Sequence, residues 1–151
     1  MQTMARSAVP NPMRLLGPRV HPLYAAVLPI PIICFVGVLI TDLAYIASAD
    51  MMWLDFSSWL LLAGLIGGGV AGALLIVELI RAHDRRRLLP HFLFLLAAWA
   101  VEVFNSFIHA RDGWTAVVPT GLTLSIAAAL LALLAGWFWQ SAYHRTAEIA
   151  R

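Results

Sequence analysis

The sequence predicts an all-α membrane protein, built as a four-transmembrane-helix antiparallel bundle with an N-in/C-in orientation. Of its 151 residues, 62% are hydrophobic and only 12% are charged, and its mean hydropathy is +0.84. A soluble domain is about 45–50% apolar and about 25% charged, which argues against a soluble enzyme or a nucleic-acid binder. Four apolar stretches are long enough to cross a membrane, and arginines mark alternate connections between them.

The four stretches are expected to be helices, because a lipid bilayer offers no hydrogen-bond partner to an exposed backbone. The first begins after His21-Pro22, and proline suits the first helical position, where a backbone N–H would be unpaired in any case. The predicted helices cover about 22–46, 56–80, 88–109 and 118–143 within a domain of 21–146, between a disordered cytoplasmic tail of 1–20 and a C-terminal tail of 147–151.

The arginines predict which way the bundle faces. Nine of the ten arginines occur in the N-terminal tail, the second connection and the C-terminal tail, whereas the first connection carries aspartates and no basic residue, and the third has only Arg111 beside Asp112. Arginine-rich segments stay in the cytoplasm. We therefore expect a multi-pass protein of the bacterial inner membrane, with both termini cytoplasmic, the lipid bilayer around it and no nucleic acid as a partner.

The second predicted helix carries glycines at a spacing of four residues, namely Gly64, Gly68 and Gly72. A stripe without side chains lets a neighbouring backbone approach closely, and such packing is what holds helices together in lipid. The spacing therefore predicts close helix packing, either within the monomer or at the face of a homodimer.

The third predicted helix carries a polar stripe on an otherwise apolar surface. At about 100° per residue, four side chains fall within roughly 40° of one line; they are His91, Glu102, Asn105 and His109. Polar and ionisable side chains within a membrane face the bundle interior or a wet crevice. We therefore expect this stripe to point inward.

One end of the stripe is a candidate site. Glu102 has several potential partners there, namely Asp42, His109, Arg111 and Asp112. One interpretation is a hydrogen-bonded clasp that locks the first and third predicted helices together. The other is a site that handles protons or a metal, since imidazole and carboxylate side chains form common ligand sets. The metal ligands would then be Asp42, Glu102 and His109, although no ligand spacing makes that prediction specific.

At the other end, the topology brings His21 near His91. Two imidazoles that face each other across a helical bundle can serve as the axial ligands of a b-type haem, provided that the protein supplies a dry pocket. The alternative is that both histidines are interfacial, with His21 capping its helix and His91 among lipid headgroups.

The order of these features resembles the bacterial membrane family called domain of unknown function 2231. The resemblance covers about residues 17 to 146. It is carried by His21-Pro22, Leu28-Pro29-Ile30-Pro31, Thr41-Asp42-Leu43, Arg85-Arg86-Arg87 with His91, Asn105-Ser106-Phe107-Ile108-His109, Arg111-Asp112-Gly113-Trp114, Val118-Pro119-Thr120-Gly121 and Ser125. It implies a fold and a membrane location but no reaction, and Glu102 matches no family position.

Some members of that family look like fusions of this bundle to Rieske iron–sulfur or cytochrome c domains. The resemblance therefore favours a small b-type haem carrier, or a membrane component of a respiratory-type redox chain, with a membrane or periplasmic redox partner. The alternative is a non-catalytic structural or assembly subunit that packs through its glycine-rich helix. Neither hypothesis identifies a catalytic residue, so an enzyme is the less favoured class.

Overall fold

The computed structural model describes residues 22–82, 85–111 and 117–149, and this part of the chain contains helices and no strand. The helices are α1 (Pro22–Val27), α2 (Pro29–Ser48), α3 (Met51–Arg81), α4 (Leu89–His109) and α5 (Leu122–Ile149). Four segments are long and apolar enough to cross a membrane, namely Pro22–Ser48, Met51–Arg81, Leu89–His109 and Val117–Ser141. The prediction of an all-α protein with four membrane-spanning helices is therefore confirmed. The predicted tail of 1–20 lies outside the described residues.

The ends of the helices follow from local chemistry. The first span is interrupted at Leu28, just before Pro29, whose ring cannot donate a backbone hydrogen bond. It ends at Ala49, which adopts a left-handed backbone conformation with φ of 53°. α3 then starts at Met51, earlier than the predicted start near residue 56, because the Asp50 side chain accepts a hydrogen bond from the Met52 amide at 3.0 Å.

The four spans pack as a ring. α2 packs mainly against α3 and α5, and α4 packs mainly against the same two helices. Consequently α2 and α4 lie across the bundle from each other, and side chains from both reach the shared interior.

The glycines of α3 let α2 and α4 approach within the monomer. A Cβ atom added at Gly64 would lie 2.6 Å from Phe35 Cε1, and one at Gly68 would lie 2.7 Å from Trp99 Cδ1. Gly72 differs, because among the described residues no atom of another helix lies within 4 Å of a Cβ added there. Two of the three predicted packing glycines therefore accommodate side chains of the same chain, and Gly72 does not.

Large apolar side chains cover the outside of the bundle, as a bilayer requires. Ile33 is 68% exposed and Trp59 is 71% exposed, although both are strongly apolar. The interior holds two apolar clusters. One contains Tyr24, Leu28, Ala71, Leu75, Leu95 and Ala135, and the other contains Phe35, Ala98 and Ala132.

Candidate functional site

The polar stripe of α4 faces the interior of the bundle. His91, Glu102 and Asn105 are completely buried, and His109 is 7% exposed. The stripe divides into two sites, because Leu95 and Ala98 separate His91 from the other polar members. The larger site surrounds Asp42, and the smaller one surrounds His91.

Asp42 joins all four spans through its carboxyl group. It lies on α2 and is completely buried. Its Oδ1 accepts a hydrogen bond from Ser57 Oγ of α3 at 2.6 Å and lies 3.0 Å from His109 Nε2 of α4. Its Oδ2 accepts from Ser125 Oγ of α5 at 2.6 Å. Both oxygens of this carboxyl group are therefore occupied.

The hydrogen bonds of His109 require a proton between that side chain and Asp42. His109 Nδ1 lies 3.1 Å from the backbone carbonyl oxygen of Asn105. A carbonyl oxygen accepts and never donates, so the network assigns a hydrogen to Nδ1. Nε2 and Asp42 Oδ1 can then bond only if one of them carries a further proton. In either arrangement the pair has no net charge, which avoids an uncompensated charge in apolar surroundings.

Glu102 is tied to this pair through Asn105 and Ser125. The Asn105 amide nitrogen donates to Glu102 Oε2 at 2.9 Å and to Ser125 Oγ at 2.9 Å. Glu102 Oε1 and Asn105 Oδ1 are buried and, within the described part of the chain, have no hydrogen-bond partner. A hydrogen-bonded series therefore runs from His109 to Glu102 and ends at an unpartnered carboxyl oxygen. We call these residues, together with Ser57 and Thr41, the Asp42 cluster.

Sequence reasoning missed three members of the Asp42 cluster. Thr41 Oγ1 lies 2.7 Å from Ser57 Oγ, and Ser125 bonds to Asp42 as described. Each of these hydroxyl side chains lies near the end of its span that adjoins the first or third connection. Depth along the four spans makes them candidates for contact with the buried acid, but only the rotation of each helix decides whether the hydroxyl faces it.

The other predicted partners of Glu102 do not join it. Arg111 is exposed just beyond α4, and no described hydrogen bond connects its side chain to the Asp42 cluster. Asp112 lies outside the described residues. Within the residues that the structure describes, no group of three His, Cys, Asp or Glu side chains could hold a metal ion. The predicted ligand set of Asp42, Glu102 and His109 therefore gains no support.

His91 forms the smaller site with Tyr24 and α5. Its Nδ1 donates to the backbone carbonyl oxygen of Ala135 at 2.8 Å, and its Nε2 accepts a hydrogen bond from the Tyr24 hydroxyl. The Trp139 ring packs beside both, with its centroid 5.4 Å from that of His91. Each polar group of the pair thus has a partner inside the bundle.

These contacts do not fit the predicted haem ligation by His91. An axial ligand binds iron through one ring nitrogen, and both ring nitrogens of His91 are engaged in hydrogen bonds. The surrounding Tyr24 and Trp139 rings occupy the space beside the imidazole. His21, the other predicted ligand, lies outside the described residues, so its role stays a prediction.

Comparison with known proteins agrees with the resemblance in the sequence. A family model described as "Predicted membrane protein (DUF2231)" matches residues 20–147, which is most of the chain. No curated protein matches the chain, and no solved structure matches it. The match extends over all four candidate spans and both buried polar sites.

Proposed function

The chain belongs to the DUF2231 family of predicted membrane proteins, and we propose that it binds and exchanges protons inside the bilayer. Glu102 is the exchanging residue, and the Asp42–His109 pair holds the Asp42 cluster in place beside it. One observation carries this proposal. Glu102 Oε1 is buried and has no hydrogen-bond partner among the described residues, in a hydrogen-bonded series that reaches His109 near the end of α4.

The energetic cost of the carboxyl groups favours a chemical role over a purely structural one. A charged side chain at the centre of a transmembrane helix costs about 2.5–3.5 kcal/mol on insertion scales. Helices can associate through serine, threonine and asparagine at lower cost. A clasp of Ser57, Thr41, Ser125 and Asn105 would therefore suffice for packing, whereas two buried acids add the capacity to hold a proton.

The hydrogen bonds also favour Glu102 over Asp42 as the exchanging acid. Both oxygens of Asp42 take part in hydrogen bonds, and its Oδ1 bonds to both Ser57 and His109. A proton placed on Glu102 Oε1 displaces no hydrogen bond. It would also convert that atom into a donor beside Asn105, whose Oδ1 is an unpartnered acceptor. Glu102 can therefore gain and lose a proton while the contacts of Asp42 persist.

Infrared difference spectroscopy tests this role. Spectra of the reconstituted protein, recorded across a change of pH, should contain a carboxyl band that is absent from Glu102→Gln. Asp55→Asn is the matched control, because Asp55 is an exposed carboxyl group on α3. Identical carboxyl bands in wild type and Glu102→Gln would refute the proposal.

A membrane component of a redox chain is the context that the family resemblance favours for such a proton site, with a membrane or periplasmic redox partner. A b-type haem held by His21 and His91 is the narrower version, which the contacts of His91 disfavour. An absorption spectrum of the purified protein tests whether these two histidines bind haem. A Soret band that disappears in both His21→Ala and His91→Ala would establish haem ligation and displace our interpretation of His91.

The contacts of α3 disfavour the hypothesis of a structural subunit that packs against a partner through its glycine-rich helix. Gly64 and Gly68 are covered by side chains of the same chain, so two of the three glycines of that surface offer no free face to a partner or a second copy, and only Gly72 does not meet such a side chain in the described part of the chain. The bacterial inner-membrane location and the N-in/C-in orientation of an antiparallel bundle stay predictions from the arginine distribution. Reporter fusions at both termini would test the orientation.

A further inference from the structure

The bundle contains two buried polar sites at opposite ends of α4, with an apolar layer between them. His91 lies in the first turn of α4 and Glu102 lies in its second half. At 1.5 Å per residue they are separated by roughly 16 Å along the helix axis. This separation is about half of a hydrocarbon core that is roughly 30 Å thick.

The apolar layer is thin and is lined mostly by small residues. On α4 it consists of Leu95 and Ala98, which lie between His91 and Glu102 on the buried face. The facing side of α5 carries four buried alanines beyond Ser125, namely Ala128, Ala129, Ala132 and Ala135. The carbonyl oxygen of Ala135 accepts the hydrogen bond from His91. α2 contributes the completely buried Phe35, which packs against Ala98 and Ala132.

Phe35 fills the space that the small residues leave. Its ring lies against Gly64 of α3, where an added Cβ would come within 2.6 Å of it, and against alanines of α4 and α5. The ring thus contacts residues of each of the other three spans. Apolar constrictions of this kind exclude water, and water is what conducts protons between separated polar groups.

From this arrangement, and on the basis of the proposed function of Glu102, we propose that the bundle is a closed proton path. The Tyr24–His91 pair is its second proton-exchange site, and the layer of Phe35 and Leu95 is the barrier between the two sites. This pair can take up an additional proton at Nε2 of His91 without any movement of its heavy atoms. When Nε2 of His91 takes up the proton, it becomes the donor, the Tyr24 oxygen becomes the acceptor, and the hydroxyl hydrogen turns away.

Proton flux into liposomes tests this path. The full-length protein is reconstituted with a pH-sensitive dye inside, and a potassium diffusion potential drives protons across the membrane. Wild type should show little flux, because the apolar layer is intact. Phe35→Ala should raise the flux about tenfold or more, and a tenfold rise corresponds to a barrier lowered by about 1.36 kcal/mol. Phe35→Leu, which keeps an apolar side chain, should stay near wild type.

Two controls separate a specific path from general damage to the bundle. Ile33→Ala removes a large side chain from the same helix, but Ile33 is 68% exposed on the outer surface, so the flux should not rise. Leu95→Ala opens the same layer from α4 and should raise the flux even if Phe35→Ala fails to fold. If Ile33→Ala raises the proton flux as much as Phe35→Ala does, the proposal that Phe35 and Leu95 form the barrier is wrong.

Double variants test whether both polar sites belong to the path. Adding Glu102→Gln or His91→Gln to the leaking variant should return the flux close to the wild-type level. If either substitution leaves the proton flux of the leaking variant unchanged, the path does not run through that site. If Phe35→Ala and Leu95→Ala fold but conduct no protons, the path is wrong, although the infrared band of Glu102 would still support the proposed function. Identical carboxyl bands in wild type and Glu102→Gln would instead identify a failure of the proposed function itself.

Discussion

Replacing Asp42 by alanine should destabilise the whole bundle, because this carboxyl group contacts each of the other three spans. The substitution removes the acceptor of Ser57 and of Ser125 and the partner of His109. Hydrogen bonds between transmembrane helices contribute about 0.6 kcal/mol on average and up to about 1.7 kcal/mol. Three such interactions predict a loss of about 2–5 kcal/mol in the free energy of unfolding.

Unfolding in mixed micelles, with sodium dodecyl sulfate as the denaturant and tryptophan fluorescence as the signal, measures this loss. Asp55→Ala is the matched control, since removal of an exposed side chain changes stability by about 0.5 kcal/mol or less. The pair Asp42→Ala and Ser125→Ala, combined in a double-mutant cycle, should give a clear coupling energy because the two side chains are in contact. A loss no larger than that of Asp55→Ala, or a coupling energy of zero, would refute the reasoning.

Two further predictions concern the packing of α3 and the contact of His91, and the same unfolding assay measures both. Gly64→Ala should cost about 1–3 kcal/mol, because the new methyl group would lie 2.6 Å from the Phe35 ring. Gly72→Ala should be neutral or stabilising, since that position is open and alanine favours a helix over glycine by about 1 kcal/mol; equal losses at both positions would contradict the packing. Tyr24→Phe should cost about 1–3 kcal/mol, because it leaves the buried Nε2 of His91 without its donor. An unchanged stability would show that this hydrogen bond is not formed.

The spans and the inward direction of the polar stripe follow from the sequence. A transmembrane helix satisfies its own backbone, so length and hydropathy are enough to find it. The stripe of α4 repeats with the helical period, and polar side chains cannot face acyl chains. For the same reason Glu102 and His109 could be singled out before any partner was known.

The partners of these side chains depend on the tertiary structure. The helical period gives the face of α4 but not the rotation or depth of the other helices. For this reason Ser57 and Ser125 could not be assigned to Asp42, and Glu102 could not be recognised as the acid whose Oε1 has no hydrogen-bond partner among the described residues.

The sequence by itself determined that this chain spans a membrane four times and that its polar side chains turn inward, because both properties are local to a helix in lipid. Only the tertiary structure decided that His91 bonds to Tyr24 and Ala135, and that Gly64 accommodates Phe35. Such contacts depend on how the helices rotate and slide against one another. The packing of many side chains sets that arrangement, and no single spacing in the sequence encodes it.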